Sequence, residues 1–562
     1  MLKPIKNLHD YQPNKNNKRI QSLSTQLIKI GLGILSGLIA TTSSAIAAEQ
    51  IAVRYSIGTI LISIKDLATF AQQGEISPIL SIPETILSPE DVEKLRQLLV
   101  TPMTASPWSI QQFNDTPTGT VILTRFGNFI QTDNGENGLN SLKTAINQAS
   151  KLPGGLTLLG ILENFPGKRI EIDLNFGRQV IQDLSQIIYE DQSIINWIRE
   201  QAKAEINNPA LQNRPINLRN PGTTEWKKES LTFQNPRRNQ PSPVDIYIPQ
   251  ISTPAPVIVI SHGLGSDRTT FKYLAEHLAS HGYFVAVQEH LETSADGLAN
   301  FLQGNAQPPG ADAFVDRPLD ITYVLNLLEE KAKKSAFPSD LLLDNVGVIG
   351  QSYGGYTALA VGGATFNTNR INQECAKVAD QQLTLNISVL LQCQATSIAN
   401  KGYDLQDKRV KAVIAVNPIT SVVFGQEGMS KIQIPVLMIG GSDDYVAPAV
   451  SEQIYPFSWL TSPNKYLMLL EKGTHFSFLA SGESVIPVPD QIIGPNPELA
   501  FPFLKAISLV FFNSYIRGET EYLPYLNAGY IQRVETSPFS LTIVNSLTQE
   551  NIQEAIHKVR KK

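Results

Sequence analysis

Cysteine is nearly absent from this chain, with only Cys375 and Cys393 among 562 residues. That excludes a four-cysteine zinc site or a paired C-x-x-C motif and leaves room for a single intramolecular bridge. An excess of positive charge is missing as well. Lys and Arg number 46 against 51 Asp and Glu, for a net charge of −5, so the composition gives no reason to expect nucleic acid as a partner. Basic residues mass only at Lys558-Val-Arg-Lys-Lys562, which reads as a solvated chain end. Beyond the N-terminus there is no long apolar run, which removes a membrane-embedded bundle. Histidine is scarce, with seven in all, and this narrows any search for a catalytic base. What is present is ordinary for a globular protein: 42% hydrophobic and 17% charged residues. At 562 residues the chain exceeds what one core usually organises, and two domains are expected.

The N-terminus has the order of charge, hydrophobe and small residues that a signal peptidase reads. Lys15, Lys18, Arg19 and Lys29 precede the apolar segment Ile30–Ala40, and Ala45-Ile-Ala47 precedes Ala48. That segment is shorter than the roughly 20 residues needed to cross a bilayer, so cleavage is expected rather than a retained anchor. Residues 1–47 are therefore expected to be a signal peptide. The mature protein would be exported, periplasmic or extracellular, with no stable transmembrane segment. In such a space Cys375 and Cys393 are expected to form a disulfide.

From Ala48 to about Ile206 the pattern reads mostly helical. Ser63-Ile-Lys-Asp66 starts one helix with a polar cap, and Ser88-Pro-Glu-Asp91 opens another with Pro at its first position. Helical spacing recurs over Leu142–Ala149 and Val180–Ala204. Residues 207–243 are rich in Asn, Pro, Arg and Gln, as linkers and turns are. Within and just after them, Leu231-Thr-Phe233 and Val244-Asp-Ile-Tyr-Ile248 alternate like two sides of a hairpin. From residue 244 to about 540, short apolar runs, most with β-branched residues, alternate with helical patterns. The runs are Val257–Ile260, Phe284–Val287, Val346–Ile349, Val410–Val416, Val436–Ile439 and Tyr466–Leu470. Continuously apolar strands between amphipathic helices predict an α/β fold, a mostly parallel sheet covered on both faces. Chemistry in such sheets sits at the carboxyl ends of the strands. Residues 367–400, which hold both cysteines, read as an insertion and a candidate lid. Residues 541–562 are expected to close the chain as a helix.

After Val346-Gly-Val-Ile349 comes Gly350-Gln-Ser-Tyr-Gly354, a G-x-S-x-G nucleophile elbow between a strand and a helix. Side chains two residues either side of Ser352 would collide with strand and helix, and glycine at both positions removes them. A serine hydroxyl needs a base, and in this arrangement the partners follow in the order acid, then histidine. Only His475 and His557 come after Ser352. His557 lies in a lysine-rich terminal helix, whereas Gly473-Thr-His-Phe476 directly follows an apolar strand. His475 is thus the candidate base. The acid should end the preceding strand, where Gly440-Gly-Ser-Asp-Asp-Tyr-Val-Ala-Pro448 offers Asp444, standing directly before a turn, and Asp443. Asp444 is preferred. A developing oxyanion would take the Tyr353 N–H at the helix start and a second N–H from Ser261-His-Gly-Leu-Gly265, Leu264 by preference and Gly263 otherwise. His262 reads as a brace for that loop, and His290 as a residue that lines the pocket or serves structure; both are candidate pocket residues.

Residues 244–480 resemble the dienelactone-hydrolase and platelet-activating-factor-acetylhydrolase branch of the α/β-hydrolases. The likeness rests on Ser261-His-Gly-Leu-Gly-Ser266, Asp316-Arg-Pro-Leu-Asp-Ile321, Gly350-Gln-Ser-Tyr-Gly-Gly355, Asp444-Tyr-Val-Ala-Pro448 and Gly473-Thr-His-Phe476. Residues 51–201 resemble an uncharacterised helical domain found ahead of such hydrolases in exported bacterial proteins. Its matching pieces are Lys65-Asp-Leu-Ala-Thr-Phe70, Leu87-Ser-Pro-Glu90, Gln131-Thr-Asp-Asn-Gly135 and Gly155-Leu-Thr-Leu-Leu159. The resemblance implies hydrolysis of carboxylic esters, short-acyl phospholipids among them, through an acyl-enzyme and without metal or organic cofactor. Serine where dienelactone hydrolases carry cysteine favours ordinary esters. Two other functions compete. The elbow also resembles that of prolyl-oligopeptidase-type peptidases, yet residues 48–210 show no blade-length repeat for their propeller. The fold also hosts catalytically inactive binding proteins, which commonly lose a triad member, and here all three are present.

Overall fold

A computed structural model describes residues 47–55, 58–75, 89–103, 105–204, 217–379, 386–480, 490–534 and 537–560. The expected signal segment up to Ile46 and the Ser88 helix cap lie outside them. The N-terminal region is mostly helical. Its first helix, Ile64–Gln73, starts where the polar residue predicted it: the Ser63 Oγ accepts from the Asp66 N–H at 3.3 Å, and Gly74 ends it at φ 76°.

The region also holds a sheet that local pattern did not reveal. Strands β1 (Gln50–Tyr55), β2 (Gly58–Ser63), β3 (Ile130–Gln131) and β4 (Arg169–Asp173) lie in the order β2-β1-β4-β3. β1 and β2 form an antiparallel hairpin, and β4 joins β1 in parallel from far along the chain. Ile51, Ala52 and Ile170 are buried within it. The closing contact is non-local, so no window of sequence carries it.

The second sheet has nine strands. They are β5 (Trp226–Phe233), β6 (Ser242–Pro249), β7 (Ala255–Ser261), β8 (Phe284–Gln288), β9 (Leu341–Gln351), β10 (Val410–Val416), β11 (Val436–Gly441), β12 (Lys465–Glu471) and β13 (Ser540–Val544). Their order is β13-β12-β11-β10-β9-β7-β8-β6-β5. β7 to β12 run parallel, while β6, β5 and β13 are antiparallel to their neighbours. The predicted hairpin is present with Leu231 opposite Val244. Every residue of β7, β8 and β11 is buried, as expected for strands covered by helices on both faces. The parallel strands end together, so the loops after β7, β9, β11 and β12 gather on one edge.

One expectation is corrected here. Residues 540–544 are not helical: Ser540-Leu-Thr-Ile-Val544 pairs antiparallel with β12, and the last helix is Gln549–Arg560. The segment is β-branched and covers what would otherwise be an open sheet edge. The helix Leu174–Ala204 also reaches this end of the molecule. Its Ile194, Ile195 and Ile198 join the core of the large sheet, and the Arg199 Nη1 donates to Glu471 Oε2 at 2.9 Å.

The segment after the helix Tyr353–Val361 folds as helices Thr368–Ala379 and Ser388–Gln392, and the Cys375–Cys393 disulfide ties the first to the residue that caps the second. It is bonded down through Glu452, whose fully buried carboxylate accepts from the side chains of Asn386, Gln392 and Ser421 and from the Thr420 and Ser421 N–H groups. Gln392 Oε1 in turn accepts from Val422 and Val423 N–H at 2.8 and 3.0 Å. Replacing both cysteines with serine is expected to lower stability by about 3 kcal/mol, read as an earlier denaturant midpoint with unchanged far-ultraviolet dichroism. Glu452→Leu strands several buried donors at once and is expected to cost at least as much in the same titration.

Candidate active site

β9 runs into the helix Tyr353–Val361 through a corner at Ser352, whose backbone stands at φ 57°, ψ −118°. A non-glycine residue in that region carries strain of about 1–3 kcal/mol and persists only where its surroundings hold it. Here the Ser352 N–H donates to Val416 O at 2.8 Å, tying the corner to β10. A Cβ at Gly350 would fall on the Gly354 carbonyl oxygen, and one at Gly354 on the carbonyl oxygen of Ser261. The two glycines thus permit the corner to close and pack on the end of β7.

Around this corner the later loops bring an imidazole and a carboxylate. His475 Nε2 lies 2.9 Å from Ser352 Oγ, and His475 Nδ1 lies 2.7 Å from Asp444 Oδ2. All three residues are at least nine-tenths buried. Asp444 Oδ1 accepts from the N–H groups of Val446 and Ala447 at 2.8 and 2.7 Å, which fixes the carboxylate plane. With Asp444 accepting at Nδ1, the ring carries its proton there and Nε2 is free to accept from the serine hydroxyl. Asp443 stands aside: it is partly exposed, and its carboxylate accepts from Ser442 Oγ at 2.8 Å. His557 is exposed on the terminal helix.

Two amide side chains hold the histidine loop. Gln351 Nε2 donates to His475 O at 3.1 Å, and Asn417 Nδ2 donates to Thr474 O at 3.2 Å. The acid loop is held from the inserted segment, where the Ser388 N–H donates to Val446 O at 2.9 Å. Sequence reasoning did not single out Gln351, Asn417 or Glu452. Gln351 stood inside the elbow motif as a hint. Asn417, at the end of an apolar strand, gave none.

The loop after β7 passes directly beside the corner, so close that a Cβ at Gly263 would stand 3.3 Å from Ser352 Cβ. Leu264 follows with a side chain 40% exposed. Its N–H donates to no backbone carbonyl among the described residues. The sequence reads His262 as a brace for this loop and His290 as a residue that lines the pocket or serves structure; both are fully buried and bonded into the frame of this loop. His262 Nε2 accepts from the His290 N–H at 3.0 Å and Nδ1 donates to Gly263 O at 2.7 Å. His290 bonds Asp320 Oδ2 through Nδ1 at 2.7 Å and Ser261 Oγ through Nε2 at 2.9 Å. Burial, and then the nearby Arg317 cation, hold both rings well below the usual imidazole range, so both are neutral at neutral pH. Asp320 is pushed up to about 6 by burial, against the pull of Arg238. Among the described residues, no three His, Cys, Asp or Glu side chains converge as a metal site. No described helix is long and apolar enough to cross a membrane.

Two family models match the chain. One, described as an alpha/beta hydrolase of unknown function (DUF1400), covers residues 47–173. The other, described as platelet-activating factor acetylhydrolase, isoform II, covers residues 248–313 and includes the loop after β7, but neither reaches Ser352. Among curated proteins, the platelet-activating factor acetylhydrolase of Canis lupus familiaris is 28% identical over 137 residues, 18% of this chain and 31% of that protein. Its counterpart from Bos taurus is 27% identical over the same length and shares. The chain thus spans less than a third of the curated relatives it matches. With the nine-stranded sheet, these similarities establish an α/β-hydrolase architecture and support a hydrolase.

The corner geometry makes its own prediction. Gly350→Ala has no flexible side chain to push aside, only backbone, and is expected to cost roughly 1–3 kcal/mol as overpacking does. Thermal unfolding should report that loss, and a crystal structure of the variant should show Ser352 Oγ out of reach of His475.

Proposed function

We propose that the protein is a serine hydrolase that cleaves carboxylic esters through an acyl-enzyme, with Ser352 as nucleophile, His475 as base and Asp444 as the acid that orients it. The observation that carries this reading is the hydrogen-bonded series Ser352 Oγ–His475 Nε2 and His475 Nδ1–Asp444 Oδ2, at 2.9 and 2.7 Å.

In this mechanism the Ser352 oxygen attacks the ester carbonyl carbon while His475 Nε2 takes its proton. Asp444, already bonded at Nδ1, stabilises the imidazolium that forms and is not itself protonated. The carbonyl oxygen becomes an oxyanion facing the N–H groups of Tyr353, at the start of a helix, and Leu264, on the neighbouring loop. Each such donor lowers the barrier by on the order of 3 kcal/mol. His475 then passes its proton to the leaving alcohol as the carbon–oxygen bond breaks. Water repeats the sequence on the acyl-serine and releases the acid.

Similarity to platelet-activating factor acetylhydrolases supports a phospholipid or other lipid ester with a short acyl chain as substrate. The Cys375–Cys393 disulfide supports an exported protein, because such bridges persist in oxidising compartments. The domain reading that accompanies this function is an N-terminal region over residues 48–206 and a catalytic region over 244–540.

The test is direct. A fluorophosphonate probe is expected to label the purified protein and to fail against Ser352→Ala; equal labelling of the two ends the proposal. p-Nitrophenyl esters should be hydrolysed fastest at short acyl lengths, and aminoacyl anilides much more slowly. The reverse preference favours a peptidase. Asp444→Asn removes the acceptor at Nδ1 and should lower kcat by about four orders of magnitude, whereas Asp443→Asn should stay within about threefold.

A further inference from the structure

Arg317 is the largest fully buried side chain among the described residues, and the reaction above does not use it. It lies in the helix Ala313–Lys333, on one stripe with Ile321, Val324 and Leu328, all fully buried. Its guanidinium is spread over three segments of the chain. Nη2 donates to His262 O and, at 3.5 Å, to Ser261 Oγ; Nη1 donates to Thr293 Oγ1; Nε donates to Thr357 Oγ1 at 3.2 Å. Its central carbon stands 4.8 Å from the centroid of the Tyr353 ring, a cation–π contact.

Two features separate this arginine from an ordinary buried ion pair. First, no carboxylate of the described residues forms an ion pair with it. Asp320 and Glu292 act on it only through space, and the Asp320 carboxylate is bonded to Arg238, Asn235 and His290. Burial brings Arg317 down to about 10, so it is still a cation at neutral pH. Second, apart from Thr293, what it touches belongs to the end of β7 and to the helix after Ser352, which carry the candidate oxyanion donors. On one side it holds the carbonyl of His262. That residue's Nδ1–H holds Gly263 O, and in a trans peptide the Leu264 N–H points opposite to Gly263 O, away from the ring. On the other side it lies over the ring of Tyr353, whose own N–H opens the helix after Ser352. A buried cation with no carboxylate bonded to it is costly to fold around. Oriented charge aimed at a developing oxyanion is where such a cost has a functional return.

We propose that Arg317 is the positioning residue of the oxyanion hole, one buried cation that keeps the Leu264 loop and the Tyr353 helix start in register and adds its charge to the site. The assignment rests on the serine-hydrolase reading. Arg317 touches no substrate; it acts through His262 and Tyr353. Its loss therefore weakens binding of the tetrahedral state and leaves binding of the ground-state ester nearly alone.

The experiment compares the full-length mature protein with Arg317→Met, Arg317→Lys and Thr293→Val on a short-chain p-nitrophenyl ester and on a trifluoromethyl ketone, which forms a tetrahedral adduct with an active serine. Arg317→Met is expected to lose about 100-fold or more in kcat with KM within about threefold, and Ki for the ketone should rise by the same factor as kcat/KM falls. Arg317→Lys, which keeps the charge and loses the fork, should fall between. Thr293→Val removes one anchor and leaves the arginine in place; about tenfold in kcat, matched in Ki, is expected even if Arg317→Met does not fold. A folded Arg317→Met with kcat within threefold of the parent, or a change confined to KM, overturns the assignment, as does a Thr293→Val indistinguishable from the parent. A parent that neither hydrolyses esters nor reacts with fluorophosphonate overturns the hydrolase reading and this assignment with it, whereas an active parent with unaffected variants overturns the assignment alone.

Discussion

At Ser352 the chain leaves β9 and enters a helix in a single step, at φ 57°. The rest of the site is built around that bend. A β-strand and a helix cannot meet so abruptly unless the flanking side chains vanish and the backbone groups at the corner find partners elsewhere. The Ser352 N–H finds Val416 O on β10, and the absent side chains of Gly350 and Gly354 let the helix start settle on the end of β7. The bend therefore depends on both neighbouring strands being in register. In the parallel sheet, β7, β9 and β10 run side by side, so a slip in either pairing would disturb the serine hydroxyl.

The loops after these strands have the opposite problem. A strand satisfies its backbone through the ladder, and a loop beyond it does not. At this edge of the sheet, side chains supply what the ladder cannot. Gln351 and Asn417 bond the two carbonyls around His475, and Asp444 Oδ1 takes two N–H groups of its own turn. His262 bonds the carbonyl of Gly263. Each is a short polar bridge in a water-poor setting, where a hydrogen bond is stronger and an unmade one costs more. The geometry around Ser352 follows from these bridges as much as from the sheet.

What sequence reading recovered and what it missed divide along that line. Most strands of the large sheet were legible because burial on both faces writes an unbroken apolar run, and Ser352, His475 and Asp444 stood out because each follows such a run at its carboxyl end. The choice of Asp444 over Asp443 rested on its position before a turn, and in the structure its carboxylate, not that of Asp443, bonds the imidazole. The sheet of the N-terminal region was hidden because β1 and β4 meet across more than a hundred residues. β13 was hidden because its segment lies next to a true helix and its partner strand lies far upstream. Arg317 was in view within Asp316-Arg-Pro-Leu-Asp-Ile321, and a charge on an apolar helical stripe was a usable signal. Its partners, however, come from three separate segments, and no spacing rule links them.

The N-terminal region adds one more constraint. The short helix Ala295–Gln303 begins beside the loop after β7, where Ser266 pairs with Ser294 and the Gly265 N–H donates to Thr293 O at 2.8 Å. Its far end accepts from the N-terminal region: Ser106 N–H donates to Leu302 O, Ser109 Oγ donates to Phe301 O, and Trp108 packs edge-on against Phe301. On the acid-loop side, Thr118 Oγ1 donates to Leu390 O at 3.4 Å, in the same inserted segment whose Ser388 holds Val446. The helices Pro107–Asp115 and Pro117–Phe129 thus touch both excursions that flank the corner, one behind the loop after β7 and one behind the Asp444 loop. Those two excursions share no strand and are stapled by different means, the first by the Arg317 network and the second by Glu452 and a disulfide. A region bonded to both therefore couples two excursions that the sheet itself does not connect.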